Sequence, residues 1–266
     1  MNDYAARVLE SLARATWERI RFGEQLGCPQ GEETITDVNL LDLKRAGPHA
    51  VHVFKVNKAE EARYGIDWEW WVGTDHDAYF GGWWRYAVQA KKLDRSGRYS
   101  ALRHKVGGRY QFDLLAQYAL KNRCIPLYCF YNFLAGDTEG YWHCCELPHE
   151  AHQMGCTVAP LDAVGPVFSK GASKRFEAVH RDARALPWRC LVRCVHLLPV
   201  PGRTGHPLAG GTFAEFAAYD RLPFRVWDTE EGGAVSRLPA DYYDESLGAY
   251  PRRIMVVDIS PAGTLG

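Results

Sequence analysis

The chain has 266 residues, of which 47% are hydrophobic and 13% aromatic, and its 32 basic residues balance its 32 acidic ones. This composition excludes a largely disordered chain, and the length suits one large domain or a catalytic core with an elaborated C-terminal half. A net charge of zero excludes a uniformly basic surface, so nucleic-acid binding would require a local basic patch.

Targeting signals are not recognisable in the sequence. Charged residues interrupt the segment Met1–Arg21, and no apolar run reaches the length of about 18 residues that a membrane span requires. The eight cysteines do not have the even spacing of a disulfide framework. We therefore predict a cytoplasmic protein that has no membrane partner.

The predicted elements begin with two helices, one over about residues 3–21 and one over Glu33–Ala46, where apolar side chains recur at helical spacing. Three strands are predicted next: Ala50–Val56, Ile66–Val72 and Trp83–Leu93. A helix over Tyr110–Lys121 and an apolar strand over Ile125–Tyr131 complete the series. The order of helix, three strands, helix and strand predicts an α/β fold with a mixed central sheet flanked by helices.

The pattern weakens beyond about residue 140. Strands are predicted over Trp188–Leu198 and Arg253–Ile259, and a short helix over Phe213–Tyr219. We predict a core over residues 1–135 and a C-terminal elaboration over residues 136–266 that packs on it. Whether the second part is a separate domain is left open.

Polar residues occur at alternating positions in two of the predicted strands. Asp67 and Glu69 project from one face of the second strand, and Gln89 and Lys91 from one face of the third. If the strands pair, two carboxylates, an amide and an ammonium group come together. Such groups are costly to bury beside an apolar sheet unless they pair with each other, bind a metal or line a pocket.

This set of groups suits phosphodiester hydrolysis. A divalent cation polarises the phosphate and lowers the pKa of an attacking water, and Mg²⁺ typically takes one or two carboxylates with other oxygen donors. Asp67 is the natural first ligand, and the Gln89 amide and the Ala90 carbonyl can add oxygen atoms. Lys91 would orient the water or stabilise the charge of the transition state.

The segments Gly65–Asp67 and Val88–Lys91 resemble the motif of the PD-(D/E)xK nuclease superfamily. The closest similarity within it is to restriction endonucleases of the Mrr type, in which a G-x-D strand pairs with a Q-x-K strand. The resemblance covers roughly residues 30–132, about two fifths of the chain. It implies a restriction-endonuclease-like αβββαβ core and a DNA endonuclease, a hydrolase that depends on Mg²⁺ or Mn²⁺ and acts in restriction or antiphage defence.

The resemblance also implies that the first helix of this core contributes a Glu to the metal site. Glu33 is the candidate, although the helical phase leaves Glu32 open. Because Gln89 is neutral where the common motif has an acid, the site needs a further acidic ligand, and Glu69 is the other candidate. Nuclease cores of this size often cut both strands as dimers, so a homodimer is one expectation.

A basic stretch adjoins the predicted site. Between residues 85 and 109 the only acidic residue is Asp94, whereas eight residues are basic: Arg85, Lys91, Lys92, Arg95, Arg98, Arg103, Lys105 and Arg109. Lys and Arg contacts with phosphates supply much of the affinity for nucleic acid. The expected DNA-binding residues are the last six of these together with Gln111, which opens the next helix. A solvated basic loop is the alternative.

Three other interpretations remain open at this point. The same fold could bind nucleic acid or a protein without cutting, or the aromatic-rich half could dominate an interaction role. A third interpretation makes Asp67 and Glu69 exposed strand residues that pair with Lys91, which would contribute little stability.

Cysteine and histidine residues are dense between residues 143 and 156, but their spacing does not match a standard zinc motif. The adjacent Cys144 and Cys145 would point to opposite faces of a strand. Cys190 and Cys194 are best explained as positions on a core strand. We therefore favour buried thiols over a zinc site.

Overall fold

The computed structural model describes seven ranges of the chain: residues 3–46, 51–55, 66–75, 81–169, 171–200, 203–222 and 253–259. Gly65, the first residue of the G-x-D motif, lies outside these ranges. Among the described helices, none is both long and apolar enough to cross a membrane.

Helices surround the sheet. The described α-helices are α1 Asp3–Gln25, α2 Glu32–Arg45, α3 Gln111–Asn122, α4 Leu161–Val164, α5 Phe176–His180 and α6 Cys190–Arg193. The predicted positions of α1, α2 and α3 are confirmed to within a few residues. α2 begins one residue before the predicted start, and α3 ends where Arg123 adopts a left-handed conformation with φ of 52°.

Most strands belong to one sheet. The strands are β1 Val51–Lys55, β2 Trp68–Thr74, β3 Gly82–Lys92, β4 Lys105–Val106, β5 Arg109–Tyr110, β6 Ile125–Tyr131, β7 Cys156–Pro160, β8 Leu186–Pro187 and β9 Arg253–Asp258. Within the described ranges, the main sheet has seven strands in the order β1-β9-β2-β3-β6-β7-β8, while β4 and β5 form a separate hairpin.

The sheet is mixed, as predicted. β3 pairs antiparallel with β2 and parallel with β6, which confirms the α/β class and the predicted order of elements. One arrangement was not predicted: β9 lies between β1 and β2, antiparallel to the first and parallel to the second. The C-terminal part of the chain therefore supplies an inner strand. The division at residue 135 stays a prediction.

The two faces of the sheet have separate cores. Trp68, Trp70 and Val88 lie on the face covered by α1 and α2. Ala87 and Tyr128 lie on the opposite face, with residues of α3. This alternation follows from the two-residue period of a strand. It also places Glu69, Arg85, Gln89 and Lys91 on the α3 side, since they occupy the intervening positions of β2 and β3.

Two predictions for the C-terminal part are wrong. Trp188–Leu198 is not a strand, because residues 190–193 form α6 and residues 195–197 form a 3-10 turn. The alternation of Cys190, Val192 and Cys194 suggests a strand, yet the first and last are also spaced for one helical face. The helix over Phe213–Tyr219 is replaced by a 3-10 turn at residues 211–213. The strand at the end is confirmed as β9.

Two histidines are buried as neutral rings. His206 Nδ1 accepts a hydrogen bond from the Leu208 amide (3.0 Å), so Nε2 carries the proton and donates toward Leu197 O (3.2 Å). His180 Nδ1 donates to Phe176 O (3.0 Å), which leaves Nε2 to accept from Thr157 (2.7 Å). Burial lowers the pKa of His180 from 6.5 to about 4 and that of His206 to about 3.

The two buried histidines should make the stability of the fold sensitive to acid. As the pH falls below 6.5, both histidines become protonated in the unfolded chain but stay neutral in the folded chain. The free energy of unfolding therefore decreases. We expect the free energy of unfolding to drop by about 2 kcal/mol per histidine between about pH 6.5 and pH 5. Urea titrations at several pH values measure this slope. The His206→Gln variant should be less stable but should show a shallower slope, and an unchanged slope would contradict the prediction.

Candidate functional site

The predicted polar residues lie where β3 and β6 end and β2 begins. In this sheet the Asp67 amide donates to Val88 O (2.8 Å), which continues the β2–β3 pairing by one residue. Gln89 is paired across the parallel ladder with Tyr128 of β6. The antiparallel and parallel neighbours of β3 thus bring Asp67, Gln89 and Tyr128 to the same end of the sheet.

Asp67 contacts the end of β3 directly. Its Oδ2 accepts hydrogen bonds from Gln89 Nε2 (2.6 Å) and from the Ala90 amide (2.7 Å). Gln89 Nε2 also donates to the Ala90 carbonyl (3.2 Å). The carboxylate, the side-chain amide and the main-chain carbonyl therefore converge on one small volume, as the strand phase predicted.

Lys91 completes the group from the same strand. It is almost fully buried, and its Nζ lies 3.3 Å from Glu32 Oε1. The other oxygen of Glu32 accepts the Lys92 amide (3.0 Å). Burial raises the pKa of Glu32; Lys91 opposes that rise, while the nearby Asp67 adds to it. Glu32 therefore pairs with the buried Lys91 ammonium and lies close enough to Asp67 for the two carboxylates to repel each other.

The structure corrects the choice of the acidic residue on α2. Glu32, and not Glu33, faces Lys91, and Glu33 lies on the exposed side of the helix. The buried positions of α2 include Ile35, Thr36 and Asn39. A stripe through these positions extends back to Glu32 at four- and seven-residue spacing. This phase is a signal that could have identified Glu32 from the sequence.

Glu69 does not join the site, although it is on the expected face. Its carboxylate is fully buried and accepts hydrogen bonds from Arg85 Nε (3.1 Å) and the Tyr118 hydroxyl (2.6 Å). Arg85 is also nearly buried. Glu69 is therefore a partner of Arg85 in the core, and its prediction as a metal ligand is wrong. The alternative in which Asp67 and Glu69 are exposed and pair with Lys91 is wrong as well, because the buried Lys91 pairs with Glu32.

Two polar atoms beside Asp67 lack a hydrogen-bond partner within the described ranges: Gln89 Oε1 and the Tyr128 hydroxyl. The exposed fraction is 1% for Gln89 and zero for Tyr128. Burial raises the pKa of Tyr128, and Asp113, Asp67 and Glu32 raise it further, so acidic groups surround this hydroxyl. Buried polar groups without protein partners are unusual in folded proteins, so these two atoms are candidates to contact an ion, a water or a ligand. Tyr128 was not predicted as a site residue.

The basic stretch is only partly available for binding. Arg103 donates to the carbonyls of residues 167 and 169, and Arg95 donates to the carbonyl of residue 24. Lys92 and Arg98 are half-buried. In contrast, Lys105 and Arg109 are exposed on the β4–β5 hairpin, where Lys105 lies over the Tyr110 ring. Of the exposed basic residues in the stretch, Lys105 and Arg109 lie on that hairpin, whereas Arg95 is engaged with the carbonyl of residue 24.

Gln111 begins α3 immediately after the hairpin. Its side chain is half-buried, and its Oε1 has no hydrogen-bond partner among the residues that the structure describes. The hairpin thus leads into α3, whose first turn contains Asp113, one of the acidic groups around Tyr128. This connection links the exposed basic residues to the end of the sheet that holds Asp67.

These observations define an α/β protein with a buried cluster of carboxylate, amide and ammonium groups at one end of a mixed sheet. The chain belongs to DUF6615, a family of unknown function whose model matches residues 5–256. The comparison with curated proteins gave no match.

Proposed function

We propose that the protein is a metal-dependent nuclease that hydrolyses phosphodiester bonds in DNA. The observation that supports this most is the convergence of Asp67, Gln89, Lys91 and Glu32 at the end of β3. The order of elements around this point, and the resemblance to the Q-x-K motif, favour the same class. A cytoplasmic role in restriction or antiphage defence is part of the proposal.

The residues at this point fit a divalent cation. Gln89 Nε2 lies between two oxygen atoms, Asp67 Oδ2 and the Ala90 carbonyl, and the amide oxygen is the unpartnered atom. Rotating the amide by half a turn exchanges its oxygen and nitrogen, which would give three oxygen donors facing one volume. Hard cations such as Mg²⁺ and Mn²⁺ prefer oxygen donors of this kind. A bound cation would polarise the phosphate and make water more acidic.

Lys91 and Glu32 have separate parts in the proposed reaction. The Lys91 ammonium would stabilise the negative charge that develops on the phosphate oxygens. Glu32 holds that ammonium in position through its contact with Nζ. Because burial raises the pKa of Glu32, its carboxylate is suited to accept a proton from an attacking water at neutral pH. The Lys91 ammonium and the Glu32 carboxylate both belong to the protein, so these two roles do not depend on the cation.

DNA would reach the site over the β4–β5 hairpin. Lys105 and Arg109 are exposed there and could contact phosphates on either side of the scissile bond. Lys92 and Arg95 line a groove together with the acidic residues Glu24 and Asp94. The mixed charge of this groove favours the hairpin as the main phosphate contact.

The proposal is tested by incubating purified protein with supercoiled and linear duplex DNA in Mg²⁺, Mn²⁺ or EDTA. Wild type should cleave only with metal, and Lys91→Met should not cleave. Circular dichroism of the variant shows whether it folds. Cleavage that persists in EDTA or in Lys91→Met would contradict the proposed site.

A second candidate is a nuclease-fold module that binds nucleic acid or a protein partner without cutting. The neutral Gln89 favours it, because the site has one carboxylate fewer than the common motif and should hold metal less tightly. Metal binding to wild type, measured by calorimetry with Mn²⁺, separates the two. DNA binding without metal binding or cleavage would support the module and would sink the nuclease proposal.

A further inference from the structure

Three buried cysteines from two distant segments meet in the C-terminal part. Cys144 lies in a loop, Cys190 is the first residue of α6, and Cys194 follows the last residue of that helix. Their sulfur atoms all lie within 4.8 Å of one another. The four-residue spacing of Cys190 and Cys194 places both sulfurs on one side of the helix, and the loop brings Cys144 to that side.

The spacing of these sulfurs suits metal coordination better than a disulfide. The Cys144 and Cys194 sulfurs are 4.0 Å apart, and all eight cysteines are free thiols. A disulfide requires about 2.05 Å. Tetrahedral zinc with Zn–S bonds of about 2.3 Å implies sulfur atoms about 3.8 Å apart. The other sulfur pairs of the group lie within 4.8 Å, close to this spacing.

Polar donors surround the sulfur of Cys144. The main-chain amides of Glu146 and Leu147 donate hydrogen bonds to it. Arg189, which is 2% exposed, also directs Nη1 to the Cys144 sulfur at 3.4 Å. Amide donors and a buried cation are what a negatively charged metal–thiolate centre requires around it.

We propose that Cys144, Cys190 and Cys194 bind one structural zinc ion, with the fourth coordination position on the side of Cys145 and Glu146. Ligand atoms of these two residues and Cys194 also lie within 4.8 Å of one another. Zinc prefers thiolate ligands in a tetrahedral arrangement, and the three thiols would lose their protons on binding. The proposal is independent of the nuclease proposal, since it concerns different residues.

The site would tie the loop and α6 to the core. Arg189 pairs with Glu10 of α1 (2.6 Å), Arg193 pairs with Asp3 (2.9 Å), and the Trp188 indole donates to Leu9 O (2.8 Å). α6 therefore already packs along α1. A metal ion that joins the loop to α6 would also fix the loop to α1, which is a structural role for the metal.

The test measures metal in protein purified under reducing conditions without a metal-binding tag. We expect about one zinc ion per chain, and a fall of at least about tenfold in Cys190→Ser and Cys194→Ser, because zinc affinity depends on each thiolate. Cys28→Ser, an exposed cysteine, and Cys129→Ser, a buried cysteine of β6, are the matched controls. Both should retain zinc.

Cobalt substitution of wild type keeps the test valid if the serine variants do not fold. Co²⁺ added to the metal-free protein should give the intense visible bands of tetrahedral thiolate coordination, and chelation should lower the melting temperature. Absence of zinc together with absence of these bands would overturn the proposal. A Cys144–Cys194 disulfide found by mass spectrometry in the reduced preparation would overturn it as well.

Discussion

An Asp67→Asn variant is expected to lose metal-dependent DNA cleavage by about 10³-fold or more, because the negative charge that would bind the cation is removed. The fold should be retained. The Asn oxygen can still accept hydrogen bonds from Gln89 Nε2 and the Ala90 amide, as Asp67 Oδ2 does. Loss of the charge also relieves its repulsion of Glu32. Initial rates under excess enzyme and thermal melting of the same samples measure both effects.

The neighbouring pair on α2 gives a matched control for the same site. Glu32→Gln should reduce cleavage by at least about 10²-fold, since it removes both the proposed proton acceptor and the group that positions Lys91. Glu33→Gln makes the same chemical change one residue along, on the exposed side of the helix, and should cleave like wild type. Equal losses in the two variants would contradict the placement of Glu32 at Lys91.

The Arg85→Met variant is expected to lower the free energy of unfolding by about 3–5 kcal/mol, since it leaves a buried carboxylate without its counter-charge. Glu69 is fully buried, and Arg85 is its charged partner through Nε at 3.1 Å. The Tyr118 hydroxyl (2.6 Å) and the Cys124 thiol (3.9 Å) also donate to this carboxylate, but both groups are neutral and cannot replace that charge. Urea denaturation followed by tryptophan fluorescence measures the change.

A double variant separates the pair from general damage to the core. In Glu69→Gln/Arg85→Met the buried charge is absent from both positions, so at least half of the lost stability should return. If the double variant is less stable than Arg85→Met alone, then the loss comes from packing of the Arg85 side chain against Trp71 and not from the unpaired Glu69.

The sequence was sufficient for the central part of the site because strand geometry is local. The two-residue period placed Asp67 with Glu69 and Gln89 with Lys91, and the sheet pairing then brought Asp67 to Gln89. What the period could not predict was the fate of Glu69, which depends on Arg85 in the next strand and on Tyr118 in α3. Long-range partners of this kind are not encoded in any single segment.

The helix α6 was missed because the spacing of its apolar residues fits a strand as well as a helix. Cys190, Val192 and Cys194 alternate like a strand, but Cys190 and Cys194 are also one helical turn apart, and the helix is what forms. Their meeting with Cys144 depends on a fold contact across 50 positions. The insertion of β9 between β1 and β2 likewise depends on pairing partners about 180 residues or more apart, for which sequence periodicity has no signal.

The position of β9 between β1 and β2 affects how the sheet folds during synthesis. β1 and β2 are synthesised early, yet their shared neighbour is the last of the described strands to leave the ribosome. Until then each presents an unpaired edge, and unpaired edges are the surfaces through which nascent chains aggregate. Closure of the sheet must therefore be a late, long-range step, which is slow in folding. Fragments that end before residue 253 would keep those edges exposed, so chaperone binding during synthesis should be concentrated on this half of the sheet.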